Sequence, residues 1–440
     1  MKRFITDRLI EWKNRAGRKP LILRGARQIG KTWVINDFGN LYFKGKIHTI
    51  NFEKRPDWHS IFDLNFDVHR IVSELEIVLN ANIIIGEDLL FFDEIQSCPS
   101  AIKALRYFFE EMPELHVISA GSLLEFAFQT ISIPVGRVEF LNMFPMSYPE
   151  FLLATGKSKL AEIVLEPPQR LSESIHRSLI NEVKNYFFVG GMPECVERYA
   201  VTQRIRDVFD IQLNLADTFR QDFSKYAPYA DKRCLNIVFA SVSKSVGKQI
   251  KYTQLSGDFS IPTIKKAFEL LTQARLFRKI SAVSPAGLPL EASASEKKFK
   301  AMMVDIGLMQ QLCGLSADVE YREDDLLAIC RGAMAEQFVG QEFAAAGNDA
   351  IYYWSREEKS STAEVDYVIA HNGLIFPIEI KSGAAGRLRS MHILLQKYTN
   401  CNCGIVLSGA PFARLPEQKL VFLPLYYAFQ AGSDPGQFIF

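Results

Sequence analysis

The sequence of 440 residues is marked first by what it does not have. It contains no apolar run of about 18 residues, the length that crosses a bilayer as a helix, so no membrane span is expected. Its opening, "MKRFITDRLIEWKNRAG", scatters charges where a secretory leader would carry a continuous apolar core. Neither charge dominates. Lys and Arg number 51 against 50 Asp and Glu, a net charge of +1, so any contact with nucleic acid must use a local basic patch. The seven cysteines are odd in number and scattered. Only Cys401 and Cys403 are close, and no second pair completes a zinc site. They read as reduced core residues, and the chain as cytoplasmic. Internal repeats and low-complexity tracts are also missing. What is present is ordinary for well-filled cores: 48% hydrophobic and 23% charged residues. At roughly 150 residues per domain, the length implies two to four domains.

The first 147 residues alternate short apolar runs with helical patterns. "PLIL", "IHTINFE", "LLFFDE", "LHVISAGS" and "RVEFLNM" read as strands of a buried parallel sheet between helices. From 148 to 228 the pattern is helical, opened by Ser147 and Glu150 at capping-box spacing and broken by Gly190-Gly191. Residues 229–297 suggest a short strand, two helices and a strand, the pattern of a winged helix, with Ser260 as an N-cap and Pro262 just inside the helix. "TIKKAF" and "LFRK" make this segment locally basic, which fits a DNA groove, a protein dock or an ATPase lid equally. Residues 298–440 combine a long helix around "AEQF" with a hairpin turning at Asn372-Gly373, then a helix and a strand.

Two constellations carry chemistry. The first is G-x-x-x-x-G-K-T from Gly25 to Thr32 (Gly25, Ala26, Arg27, Gln28, Ile29, Gly30, Lys31, Thr32, followed by Trp33), placed between a predicted strand and a predicted helix. Glycines there let backbone N–H groups approach phosphates, Lys31 reaches the β- and γ-phosphates, and the Thr32 hydroxyl holds Mg²⁺. Its partner is "LLFFDEIQ", where Asp93 would hold the metal and Glu94 would orient the attacking water. Ser122 in "SAGS" is a candidate γ-phosphate contact or else a turn serine. Arg137 either neutralises developing charge, in its own subunit or a neighbour's, or is a surface arginine.

The second constellation lies in "VDYVIAHNGLIFPIEIKSG". Asp366 sits on one predicted strand and Glu379 and Lys381 on the next, two residues apart and so on one face. Two carboxylates and a lysine in this arrangement form the minimal site of a restriction-type nuclease. Asp366 and Glu379 would take Mg²⁺ through oxygen, Glu336 would add an outer ligand, and Lys381 would help place the attacking hydroxide. Gln396 and Tyr398 could reach a phosphate backbone, while Trp354 reads as a packing aromatic.

"RGARQIGKT", "LLFFDEIQ", "ISAGS", "GRVEFLNMFPMSYPEF" and "YFFVGGMPE" resemble the prokaryotic ATPases of the AAA superfamily that carry a C-terminal domain of unknown function. "KAMMVDIGL" and "AEVDYVI…PIEIKSG" extend the resemblance to that domain. It implies an ATPase core, a helical and winged-helix middle and a restriction-endonuclease-like C-terminal fold. A threonine is more usual at the first position of "SAGS", which leaves Ser119 and Ser122 as alternative sensors. The expected fold class is therefore α/β: a P-loop ATPase domain (1–147), a helical lid (148–228), a winged-helix-like domain (229–297) and a nuclease-like α/β domain (298–440). The expected cofactors are ATP and Mg²⁺, and the expected partners DNA or RNA, with a homo-oligomer as an option. The alternative is an ATP-dependent binding or signalling protein whose nuclease-like domain does not cut.

Overall fold

The computed structural model describes residues 1–122, 124–130, 134, 136–226, 230–314, 327–358, 361–381 and 388–439. The expected boundary at 228/229, and Ser382 and Gly383 of "PIEIKSG", lie outside the described residues. The chain divides into two compact units, Lys2–Phe144 and Pro145–Phe440.

In the first unit, β1 (Leu21–Arg24), β2 (Ile47–Asn51), β3 (Leu89–Asp93), β4 (His116–Ala120) and β5 (Glu139–Asn142) form one sheet in the order β2-β3-β4-β1-β5. Every pairing is parallel. Parallel neighbours need crossovers, and the helices Lys31–Tyr42, Val68–Leu79 and Pro99–Glu111 supply three of them. Strands covered on both faces are mostly apolar, and "LLFFD" and "HVISA" are buried at every position, Asp93, His116 and Ser119 included. Phe38, Phe91, Phe92 and Val117 are all buried. Phe92 meets Phe52 and Phe62 at 5.6 Å and Phe108 at 5.9 Å between ring centroids. Ala120 lies opposite both Leu23 and Asp93, so the loops leaving β1, β3 and β4 emerge side by side at the carboxyl edge of the sheet.

The second unit begins with helices. Tyr148–Ala154 is closed by the capping box, the Ser147 N–H donating to Glu150 Oε2 at 2.8 Å. Gly190 ends the helix Glu173–Val189 with φ of 72°, a conformation that favours glycine. The next N–H, of Gly191, donates to Asp305 Oδ2 at 2.6 Å. Asp305 also accepts from Leu308 N, and Gln341 links Asp305 to the Tyr186 hydroxyl. Burial pushes the Asp305 carboxyl up to about 6, against the pull of these donors. The glycine pair is thus tied to the helices Ile306–Cys313 and Leu327–Ala345.

The middle segment holds the helices Lys232–Ser243, Tyr252–Leu255 and Ile261–Gln273, then β6 (Phe277–Ser281) paired antiparallel with β7 (Phe299–Met303). Ser260 caps the third helix through Thr263 N. The strand expected at "QIKY" does not form. Ile250 makes one backbone bond, to Phe299 O at 2.8 Å, and Tyr252 already begins a helix.

The C-terminal part is a six-stranded mixed sheet: β8 (Tyr352–Glu358), β9 (Ser361–His371), β10 (Leu374–Lys381), β11 (Gly404–Ser408), β12 (Ala413–Leu415) and β13 (Leu420–Pro424), in the order β12-β13-β11-β10-β9-β8. β8, β9 and β10 are antiparallel. Asn372 and Gly373, with φ of 48° and 78°, make the two-residue turn between β9 and β10. β10 then runs parallel to β11 across the helix Arg389–Lys397. Trp354 is buried and meets Tyr398 edge-on at 6.3 Å. Tyr398 is itself buried and hydrogen-bonded to Ser284 at 3.1 Å, while Gln396 is exposed. Cys98, Cys195, Cys234, Cys313, Cys401 and Cys403 are free thiols. Among the described residues no helix is long and apolar enough to cross a membrane.

Replacing Phe92 by Ala should leave a void between three aromatic partners and destabilise the first unit by about 3–5 kcal/mol. Urea unfolding followed by intrinsic fluorescence checks this, and an unshifted first transition would contradict the packing.

Candidate functional site

The loop that leaves β1 wraps back on itself. Gln28 and Gly30 adopt φ of 63° and 89°, and the helix Lys31–Tyr42 starts at once. Gly25 has no room for a side chain, because a Cβ there would lie 2.5 Å from Met143 O and closer still to Ile29 Cδ1. Ala26 and Ile29 are buried, Arg27 is half-buried, and Trp33 is exposed. The Lys31 ammonium is buried and donates to the loop's own carbonyls, Gly25 O at 3.0 Å and Ala26 O at 2.7 Å. The result is a concave loop with its cation inside, at the N-terminus of a helix, an arrangement suited to phosphate.

Thr32 Oγ1 donates to Asp93 Oδ1 at 3.1 Å and lies 3.3 Å from Oδ2. Asn51 Nδ2 donates to Asp93 Oδ2 at 2.9 Å, across the register pair Asn51–Asp93. Burial and the neighbouring Glu94 raise the Asp93 carboxyl, while Thr32 and Asn51 oppose them. A hydroxyl and a carboxylate side by side are hard oxygen donors, the set that fits Mg²⁺.

Glu94 leaves the sheet in the left-handed region, φ 49°. Its Oε2 accepts from Gln96 Nε2 at 2.5 Å. Among the described residues Gln96 Oε1 is buried without a hydrogen-bond partner, and it lies against the place a Cβ on Gly121 would occupy. Ser122 and Ser119 are both buried, and Ser119 Oγ has no hydrogen-bond partner among the described residues. Arg137 is engaged with Glu110, Nε to Oε1 at 2.7 Å.

In the second unit, Asp366, Glu379, Lys381 and Glu336 lie in one cluster, with two additions. Lys381 Nζ donates to Glu379 Oε1 at 2.5 Å, and Ile380 N donates to Asp366 Oδ2 at 2.7 Å. Glu379 Oε2 is buried without a hydrogen-bond partner among the described residues. Burial and the charge of Asp366 push the Glu379 carboxyl up to about 7. The additions are Lys300 of β7 and Glu364 of β9. Lys300 Nζ lies 2.9 Å from Glu336 Oε1, 2.5 Å from Glu364 Oε1 and 3.8 Å from Asp366 Oδ1. Burial works against its charge, but Glu336, Asp366 and Glu364 hold the ammonium well above its ordinary range. Among the described residues, no group of three or more His, Cys, Asp or Glu is arranged to hold a metal ion.

Residues 17–152 match the family model of the AAA domain. This segment is similar to AAA-type P-loop domains, and the match supports ATP binding and hydrolysis. Residues 180–319 and 331–426 each match a domain of unknown function, DUF8612 and DUF4143 respectively. No curated protein matches the chain. Among solved structures, the chain is similar to the Aeropyrum pernix ORC1 protein in complex with DNA (12% identity, 71% of this chain and 93% of that one, TM-score 0.30). It is also similar to Thermotoga maritima RuvB (15% identity, 62% and 88%, TM-score 0.27). A third similar structure is AMPPCP-bound DnaA from Aquifex aeolicus (13% identity, 61% and 87%, TM-score 0.24). The AAA assignment rests on the sequence of residues 17–152 and the loop geometry above.

Sequence reasoning missed Asn51, Gln96, Lys300 and Glu364. For Lys300 a signal existed: a lysine inside the apolar strand "FKAMM" must be buried, and a buried ammonium needs anions. Asn51 and Gln96 left none, because polar residues at strand ends are common.

Gly25→Ala should weaken binding of a fluorescent ATP analogue by at least about tenfold, roughly 1.4 kcal/mol, because the new methyl group would displace Met143 or Ile29 from the loop. Circular dichroism should be unchanged. Wild-type affinity in the variant would argue against this loop as the nucleotide site.

Proposed function

We propose that the protein is a Mg²⁺-dependent ATPase whose hydrolysis controls a C-terminal domain acting on, or regulated by, nucleic acid. The observation that carries the ATPase part is the adjacency of Lys31, Thr32, Asp93 and Glu94 at one sheet edge. Lys31 exchanges two neutral carbonyl acceptors for the β- and γ-phosphates. Backbone N–H groups from Gly25 through Thr32, with Ala26, Arg27, Gln28, Ile29 and Gly30 between, cradle the phosphate oxygens, and Trp33 lies at the start of the helix they lead into. Thr32 and Asp93 would hold the magnesium ion, which neutralises charge between the phosphates. Glu94 orients and polarises the attacking water once Gln96 releases it. Ser122, or Ser119, is the proposed γ-phosphate contact. Arg137 is the proposed counter-charge, supplied to its own nucleotide or to a neighbouring subunit's after it parts from Glu110.

A restriction-endonuclease-like fold for the last domain, a winged-helix role for the middle one, and DNA or RNA as partner belong to the same reading. The mixed sheet with Asp366, Glu379 and Lys381 on two adjacent strands supports the first of these. A second reading, in which that domain binds without cutting, is favoured by Lys300 lying among its carboxylates.

Lys31→Ala should abolish ATP hydrolysis, measured as phosphate release. Glu94→Gln should retain ATP binding but hydrolyse about 10²–10³-fold more slowly, the range for losing a group that acts on the reacting water. Hydrolysis by Glu94→Gln at the wild-type rate would remove Glu94 from that role. Incubation with plasmid, single strands and RNA, with Mg²⁺ or Mn²⁺ and with or without ATP, separates the two readings of the C-terminal domain.

A further inference from the structure

Lys300 is the second residue of β7, "FKAMM", a strand buried at all five positions. Its side chain is only 2% exposed. The tip reaches Glu336 from the helix Leu327–Ala345 and Glu364 and Asp366 from β9, two residues apart and therefore on one face. Behind the ammonium lies the Tyr353 ring, whose centroid is 5.2 Å from Nζ. One cation thus gathers three carboxylates from two separate elements.

These are the same acids from which a divalent ion would have to draw its ligands. Magnesium needs oxygens at about 2.0–2.1 Å in near-octahedral array and keeps several waters. An ammonium at hydrogen-bond distance from Glu336 Oε1 and Glu364 Oε1 occupies the space between the acids that such an ion requires. Asp366 contributes one oxygen to Ile380 N and the other faces Lys300. Glu379 gives one oxygen to Lys381, leaving a single buried oxygen, Oε2, without a partner among the described residues. One carboxylate oxygen does not make a metal site, and a proton satisfies it as well. Nor can Lys300 swing aside cheaply, because a buried ammonium deprived of its anions is an uncompensated charge.

We propose that Lys300 is the resident cation of the C-terminal carboxylate cluster and closes it to divalent metal. The positive charge that a nuclease would import with its metal is here covalently part of β7. Lys300 joins β7, the Glu336 helix and the β9–β10 hairpin through one buried cation. A metal enters only where Lys300 has left. The inference rests on the second reading above, in which the domain binds without cutting.

The test is a titration of the full-length, nucleotide-free protein with Mn²⁺, following free ion by electron paramagnetic resonance. Wild type should show no Mn²⁺ binding that depends on Asp366 up to about 1 mM. Lys300→Ala should gain one Mn²⁺ per chain, and adding Asp366→Asn should remove it, which separates this site from any ion held at Asp93. Wild-type binding of Mn²⁺ that is lost in Asp366→Asn or Glu379→Gln overturns the proposal. So does a folded Lys300→Ala that gains none. If Lys300→Ala does not fold, the wild-type titration alone decides. ATP hydrolysis by wild type and Lys300→Ala, measured in parallel, should agree. A loss of ATPase in wild type would instead count against the proposed function and leave the cation assignment standing.

Discussion

Removing an ammonium ion from water is costly, and among the described residues it is done at Lys31 and at Lys300. What surrounds each lysine follows from that constraint. Lys31 is satisfied by carbonyl oxygens of its own loop. These acceptors are neutral, so an incoming phosphate offers a stronger partner and the exchange is favourable. Lys300 is satisfied by carboxylates, already the strongest acceptors a protein can supply. The first lysine is held in readiness and the second is held in place. The same residue type therefore marks a site built to change partners in one unit and a joint built to keep them in the other.

Sheet order converts this local chemistry into a site. In β2-β3-β4-β1-β5, the strand carrying Asp93 and the strand entering the phosphate loop are not neighbours, since β4 lies between them. The loops nevertheless meet because all five strands run in one direction and each delivers its loop to the same edge. Thr32, sixty-one residues before Asp93, can then donate to it directly. The intervening β4 brings Gly121 against Gln96, so the carboxylate of Glu94, the amide of Gln96 and the exit of β4 form one contiguous contact. Gln96 is therefore the one side chain that links that exit to Glu94 in this contact.

Much of this was legible in the sequence, for identifiable reasons. The phosphate loop depends on backbone geometry that only glycine at fixed spacing provides, and fixed spacing is what a linear sequence records. "LLFFD" and "HVISA" had to be buried strands because no face of them is polar enough for water. The Asn372-Gly373 turn fixed the β9–β10 pairing, and with it the common face of Asp366 and Glu379. The missing strand at "QIKY" shows the opposite case. An alternating tetrapeptide becomes a strand only if a neighbour offers a ladder, and here one bond to Phe299 is all that forms. Asn51 and Gln96 were hidden for a related reason: they act through partners 42 and 2 residues away, and only the fold reveals which partner.

The two C-terminal acids best read from sequence, Asp366 and Glu379, also show how far a motif can carry. Their spacing specifies that they share a face, and the structure brings their charges close enough for Asp366 to raise the Glu379 carboxyl. A motif does not specify what neutralises the pair. Repulsion between buried carboxylates can be relieved by a metal, a proton or an ammonium, and all three are consistent with the same letters. Lys381 belongs to the motif and faces Glu379, while Lys300 lies outside it and faces Glu336, Glu364 and Asp366. The choice among the three is made by a residue some sixty positions upstream, on a strand of a different sheet. A nuclease-like arrangement of acids is therefore a statement about geometry, and the cation that completes it is an independent variable, set in this chain by β7.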